Sequence, residues 1–416
     1  MNGYLSGAVA VSLALAVGVA VAAVEDRGVA PRNRRPYAGI DWAKCRQVTT
    51  TSHVHCRDQR ALDVLLRHGF GLMTLSNYWP SAPTVPGKTF TKNHWRFHSD
   101  WPIRVNGVLT KGPFDWNKII EPWKDEIDPA VRGEFPFDPA KDELMFPNWP
   151  EGMLEAPNAE HHGFMTDEGV AIWDVHMNGL GSTYTDGIFD ARNRFKTMSH
   201  GYQGGSGEKW RTAVDRMIAG LVYPDGGGVT VNHPTWTNLD RELFLKMLDH
   251  DPRVLGCEAL NAGTNDEPFW DWVLATGRQC FGFFVPDHRI DNRDFGANIL
   301  VVSELTVHEC LKAYRQGNFY GSLHALGELR FTGLAFDGKD VTASTDKPSR
   351  LQVVTAKGVV AETTDGRIRW TVPVGVWDKN GAAVHVFARV RAYATDGTEE
   401  VIWSQPFMLQ ERNATR

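Results

Sequence analysis

Five clusters of metal-capable side chains follow one another along the chain: His53-Val54-His55, Glu160-His161-His162, His176, His233 and Asp287-His288. The first closes the β-branched run Val48-Thr49-Thr50-Thr51. Alternate residues of a strand point to the same side, so both imidazoles of the first cluster emerge on one face. An isolated His-x-His is also what packed structural histidines produce in a chain with 15 of them. Recurrence separates the two readings. Imidazole mixed with carboxylate suits zinc, manganese or iron, and a hydrolytic centre draws its ligands from several elements.

The elements that would position these donors follow an α/β pattern. Between residues 47 and 316, short β-rich runs alternate with amphipathic stretches, which predicts a largely parallel sheet with helices over it. Helices are expected over 60–68, 208–221, 239–249, 267–276 and 305–316, the last with Gly317 as its C-cap. Strands are expected at 71–75, 170–176, 228–232, 253–258, 280–285 and 298–302. Every donor cluster except Glu160-His161-His162 then sits at the C-terminal end of a strand, where α/β barrels place their chemistry. Residues 80–150 break the pattern with proline and Trp95, Trp101, Trp116, Trp123 and Trp149, which reads as an insertion capping the site. Its tryptophans either stack on sugar or aromatic substrate groups or fix the insertion to the barrel. From residue 325 to 410, alternating runs separated by Asp-Gly and Lys-Asn-Gly turns predict a small antiparallel sandwich. The main domain is accordingly set at 36–324 and the sandwich at 325–410.

Composition sets outer bounds: 416 residues, 42% hydrophobic and 23% charged, with a net charge of -6. No basic run exceeds Arg32-Asn33-Arg34-Arg35, so no nucleic-acid partner held through phosphates is expected. The first 23 residues carry no charged side chain and end in Val21-Ala22-Ala23. They read as a signal peptide cleaved after Ala23, making the protein periplasmic or extracellular; the alternative is an uncleaved anchor over residues 5–24, the one route to a membrane. The five cysteines lack Cys-x-x-Cys spacing, and Cys45 and Cys56 could bridge in an oxidising compartment.

Taken in order, the motifs resemble those of the PHP (polymerase and histidinol phosphatase) superfamily of metallohydrolases, and its exported carbaryl-hydrolase-like branch. Thr51-Ser52-His53-Val54-His55-Cys56 is similar to the family's first motif, and Leu75-Ser76-Asn77-Tyr78 stands where the family has Thr-Asp-His. Ala159-Glu160-His161 resembles its bridging-glutamate motif, His176-Met177-Asn178 its His-x-Asn, and Val231-Asn232-His233-Pro234 its His-Pro motif. Gly256-Cys257-Glu258-Ala259-Leu260-Asn261 and Val285-Pro286-Asp287-His288 resemble the last two. The resemblance implies a distorted seven-stranded α/β barrel with two or three divalent ions (zinc, manganese or iron) inside the strand C-termini, and the trailing sandwich fits the same branch. It implies that His53, His55, Glu160 and Asp287 hold one ion, that Glu160 bridges to a second, and that His176 and His233 serve the remaining positions. Glu258 either binds a ligand side chain or pairs with a cation; with His161 and Asp58 it is a further candidate at the metal site, Asp58 alternatively as a helix cap.

Two departures stand out. Tyr78 replaces the family's histidine, as a phenolate ligand, a hydrogen-bond donor to substrate or a packing residue. Asp287 and His288 are adjacent, so on an extended strand they face opposite sides and reach one ion together only through a local bend.

No Gly-x-Ser-x-Gly elbow and no Walker loop are present, in keeping with a metal-bound hydroxide as the attacking group. His288 or His162 would serve as general acid. The superfamily resemblance implies cleavage of a small phosphoester; Arg289, Arg293 and Lys196 are either phosphate contacts or solvated surface residues. The alternatives are hydrolysis of a carbamate or carboxylic ester at the same cluster, and a catalytically inactive binding protein that keeps the barrel.

Overall fold

Three of the five α-helices among the described residues begin at a side chain that caps them. In α1 (Gln59–Arg67), Asp58 accepts the Ala61 N–H at 2.8 Å. Asp240 does the same for Leu243 at the start of α3 (Arg241–His250), and Thr306 for Glu309 at the start of α5 (Val307–Gln316). Gly317 ends α5 at φ +71°, a left-handed C-cap. The remaining helices are α2 (Trp210–Ala219) and α4 (Glu267–Ala275). None of the described helices is long and apolar enough to cross a membrane.

A computed structural model describes residues 30–76, 85–91, 143–184, 208–290, 295–373 and 385–409, with short pieces at 103–105, 108–110, 118, 121, 125 and 188–189. The leader, Tyr78, Lys196, Arg293 and most of the 80–150 insertion, including Trp95, Trp101, Trp116 and Trp123, lie outside the described residues.

The first half contributes strands β1 (Arg46–Thr50), β2 (Leu72–Met73), β3 (Ile103–Val105), β4 (Val108–Thr110), β5 (Leu154–Glu155), β6 (Glu160–Met165), β7 (Ala171–Leu180) and β8 (Ile188–Phe189). The second half of the main domain adds β9 (Gly228–Val231), β10 (Val254–Asn261), β11 (Thr264–Asn265), β12 (Phe281–Val285), β13 (Ala297–Val302) and β14 (Phe319–Ser322). A six-stranded sheet runs β11-β10-β9-β7-β6, with β12 on the other side of β10. Its β10, fully buried and parallel to both β9 and β12, is the two-faced strand expected beneath covering helices.

The sheet is mixed rather than largely parallel, and the described strands form no closed seven-stranded barrel. The physical reason is at residues 166–170, where Thr166 and Val170 close a turn too short for a crossover, so β6 and β7 pair antiparallel, as do β7 and β9. The strand ends are nonetheless tied together around one region. Val54 bridges Asp287 in parallel register, Ser76 N–H donates to Val54 O, Ala156 N–H to Met73 O, and Glu160 N–H to Ser76 O.

The C-terminal strands are β15 (Phe331–Phe336), β16 (Asp340–Thr345), β17 (Ser349–Thr355), β18 (Gly358–Thr363), β19 (Arg367–Thr371), β20 (Phe387–Ala394), β21 (Val401–Trp403) and β22 (Phe407–Met408). An eight-stranded sheet is built from both parts of the chain: β1-β13-β14 continue into β21-β20-β17-β18, with β22 on β20. Opposite it, β15-β16-β19 closes a second layer over Ile299, Val301, Tyr320, Leu334, Val353 and Val390. The strand that delivers His53 and His55 is thus anchored in this shared sheet. All five cysteines are free thiols, so Cys45 and Cys56 are not bridged.

Candidate metal centre

The strand ends converge on one buried knot of imidazoles and carboxylates. His53 and His55 leave β1 with their Nε2 atoms 3.0 Å apart. Glu160 Oε2 lies 2.9 Å from His55 Nε2 and 3.5 Å from His53 Nε2, and Asp287 Oδ1 lies 3.4 Å from both nitrogens. These are the spacings of ligands sharing an ion: at metal–ligand lengths of about 2.1 Å, neighbouring donors are about 3.0 Å apart in an octahedron and about 3.4 Å in a tetrahedron. Two donor trios emerge, His53-His55-Asp287 and His53-Glu160-His233, overlapping at His53. Asp287 Oδ1 is buried without a hydrogen bond among the described residues, the condition of a ligand atom awaiting a cation.

The other oxygen of Glu160 faces a second pair. Oε1 is 3.0 Å from His176 Nδ1 and 3.3 Å from His233 Nε2. Register explains why: on the β6–β7 hairpin Glu160 pairs with Asn178 and His162 with His176, so alternate residues of both strands share the site face. His161, between them, points to the opposite face and packs its ring 5.2 Å from that of Tyr184. Its proposed place at the metal site is corrected by this alternation, and Asp58 is the cap of α1 rather than a ligand.

Glu258 stands behind the knot. Its Oε1 is 2.7 Å from His53 Nδ1, and its Oε2 accepts His233 N–H and Asn261 Nδ2–H, each at 2.7 Å. It is therefore an orienting carboxylate: with Nδ1–H committed to Glu258, His53 turns its Nε2 toward the cluster. Asn232 is a supporting residue that the motif pattern did not single out. Its Nδ2 donates to Glu160 Oε1 at 3.1 Å and to Asn178 Oδ1 at 2.5 Å, while Asn178 donates to Ser52 O at 2.7 Å.

Backbone strain marks two of the donors. Asp287 has φ +52° and His233 φ +25°, a region that non-glycine residues seldom occupy and that concentrates at functional sites. The bend at Asp287 removes the obstacle raised by its adjacency to His288. His288 folds back to stack on the His55 ring, centroids 4.1 Å apart, with Nε2 3.4 Å from Asp287 Oδ1. Arg57 Nη2 lies 2.9 Å from His288 Nδ1. Because a guanidinium only donates, Nδ1 is the acceptor and the His288 proton sits on Nε2, facing the cluster.

The charges balance by proximity. Burial pushes the Glu160 carboxyl up, but His53, His176 and His233 outweigh it and hold it well below the usual range. Burial likewise opposes ionisation of Asp287, and His53 and His55 overcome it. Burial pulls the His53 imidazolium down, yet Asp287, Glu160 and Glu258 together raise it well above an ordinary histidine. His55 stays lowered, burial dominating over Glu160. His162, whose ring is 5.3 Å from that of His176, is pushed down to about 3 by burial and then by His176. His288 is also held at about 3, by burial and then by His55. Both are neutral imidazoles at pH 7, so neither stores a ready proton as an imidazolium would; His288 offers a neutral Nε2–H donor instead. Arg289 turns away to donate to Ala262 O at 2.7 Å.

No family model and no curated protein matches the chain. Among solved structures it is similar to a two-domain protein from Bacteroides vulgatus containing a predicted PHP-like metal-dependent phosphoesterase. That match has a TM-score of 0.37 and 12% identity over 88% of this chain and 95% of that one. A likeness this distant carries no mechanistic weight, and the chemistry is read from the donors themselves.

Proposed function

We propose that the protein is a PHP-type metal-dependent hydrolase that cleaves small phosphoesters. The observation that supports this best is the division of Glu160, with Oε2 toward His53 and His55 and Oε1 toward His176 and His233. A carboxylate so placed can bridge two cations. His53, His55, Glu160 and Asp287 would hold one, and Glu160, His176 and His233 the other, with zinc, manganese or iron fitting the donor set. Such ions, when bound, supply Lewis acidity and lower the pKa of a coordinated water from about 16 toward about 7.

The chain's own groups supply orientation. Glu258 fixes the His53 ring, Asn232 fixes Glu160, and His288 presents Nε2–H at the rim. Arg57 behind His288 places positive charge where a phosphoryl oxygen would dock. In the reaction, water adds to phosphorus, the P–O bond to the alcohol breaks, and the water's proton ends on the departing alcohol. The net charge of -6 favours keeping a second reading, hydrolysis of an uncharged carbamate or carboxylic ester at the same donors. Export, with residues 1–23 removed or residues 5–24 kept as an anchor, belongs to the same proposal.

The test is the chain from Val24 onward, purified without a metal-affinity tag, assayed for bound metal by mass spectrometry and for hydrolysis of phosphoesters against carbamates and esters. About two metal equivalents and preferential phosphoester cleavage, both lost in His53→Ala and Glu160→Ala, is the expected result. A parent that stays empty when supplied with zinc, manganese and iron, and hydrolyses nothing, overturns the reading in favour of an inactive binding protein.

A further inference from the structure

The segment His233-Pro234-Thr235-Trp236 turns tightly back on itself. Thr237 N–H returns to His233 O and Leu239 N–H to Pro234 O. The turn carries Trp236 against its own histidine. The indole and the His233 ring form a T-shaped pair, centroids 4.9 Å apart at 88°, and the indole lies 6.0 Å from the His176 ring. Both imidazoles are buried, whereas Trp236 is 70% exposed. Trp236 thus stands beside two buried imidazoles of the site with most of its surface in water, so that its ring is open to a molecule reaching them.

Ring contacts extend from this indole through the cluster. His233 lies 5.8 Å from His53, His53 lies 5.0 Å from His55, and His55 lies 4.1 Å from His288. The row ends at Arg57, hydrogen-bonded to His288. One end of the site therefore carries a cation and the other an exposed aromatic surface, with the carboxylate–imidazole knot between them.

We propose that Trp236 is the specificity-determining residue of this site, a platform that stacks an aromatic ring joined to the reacting group, so that the preferred substrates are aryl phosphoesters rather than alkyl ones. The proposal rests on the phosphoester reading above and refines it. Trp236 touches the substrate's ring and takes no part in the proton or bond changes.

The test measures binding of two non-hydrolysable probes, phenylphosphonate and methylphosphonate, to the metal-loaded protein by calorimetry, with bound metal checked in parallel. The parent is expected to bind the phenyl probe about tenfold more tightly, the upper range for one aromatic pair. Trp236→Ala should abolish that preference while leaving methylphosphonate affinity and metal content unchanged, and Trp236→Phe should restore most of it. A parent without the preference, a preference that survives in Trp236→Ala, or loss of metal in that variant overturns the platform; the last would make Trp236 a shield for His233. A parent that prefers the phenyl probe yet hydrolyses no phosphoester overturns the phosphoesterase reading and leaves the platform standing. Phosphoester hydrolysis indifferent to the ring does the reverse.

Discussion

Glu258 holds His53 from behind: its Oε1 sits 2.7 Å from Nδ1, and Nε2 of the same ring faces His55, Glu160 and Asp287. The second carboxylate oxygen takes the His233 N–H, so one buried side chain sets both a ligand ring and the backbone of another ligand. Orienting partners of this kind typically contribute 10- to 100-fold in metal affinity. Glu258→Ala should weaken metal binding by about 100-fold and Glu258→Gln, whose amide oxygen can still accept from Nδ1–H, by about 10-fold, read by competition with a chromogenic chelator. Parent-like affinity in Glu258→Ala would remove Glu258 from the site.

The division of Glu160 predicts a stoichiometric pattern rather than a uniform loss. His176→Ala removes a donor from the Oε1 side alone, so it should lower bound metal by about one equivalent while the His53-His55-Asp287 trio keeps its ion. Glu160→Ala should empty both positions. Metal analysis of the two variants side by side decides the matter, since equal losses would contradict a shared carboxylate.

Much of this site was legible in the chain because its donors lie in short local patterns. His53-Val54-His55 declares a shared face through the two-residue period of a strand, α1 its start through Asp58, and α5 its end through Gly317. What stayed hidden depends on distant partners. Glu160 lies on a strand whose pairing with β7 no local propensity reveals, and once that strand is known, alternation alone removes His161 from the site. The left-handed backbone of Asp287 is a tertiary constraint, held by Val54 on one side and the turn to Arg289 on the other. Arg57 and Trp236 carried no motif, and only their approach to His288 and His233 gives them roles. The mixed sheet departs from the expected parallel one because the short turn after Met165 forces an antiparallel return.

Arg389 ties the C-terminal sheet to α4. It is 1% exposed, reaches Glu267 at 2.7 Å and Asp271 at 2.9 Å, and lies over the Trp270 ring. Removing one partner of a buried ion pair leaves charge without compensation and typically costs 3–5 kcal/mol. Arg389→Met should therefore lower unfolding stability by roughly 3–5 kcal/mol in denaturant titration, and the triple variant with Glu267→Met and Asp271→Leu should recover most of it. Bound metal should be unchanged in the folded single variant, because none of these side chains faces the cluster. An Arg389→Met protein as stable as the parent would show that the ion pair contributes nothing net.

Glu155 makes stability depend on pH away from the metal site. Burial pushes its carboxyl from the ordinary 4.5 up to about 7, partly opposed by the Gly87 N–H, which donates to its two oxygens at 2.8 and 3.0 Å. The folded state thus holds this proton more tightly than the unfolded chain does. Its contribution is complete below about pH 4.5 and is lost as pH rises through 7, with an upper bound of about 3 kcal/mol that water reaching the half-buried carboxyl reduces. Glu155→Gln keeps an acceptor for Gly87 and has no proton to release. Between pH 5 and pH 8 the parent should lose about 1–3 kcal/mol more unfolding free energy than this variant, as measured by urea midpoints. Superimposable pH profiles for the two proteins would show that Glu155 titrates as it does in the unfolded chain.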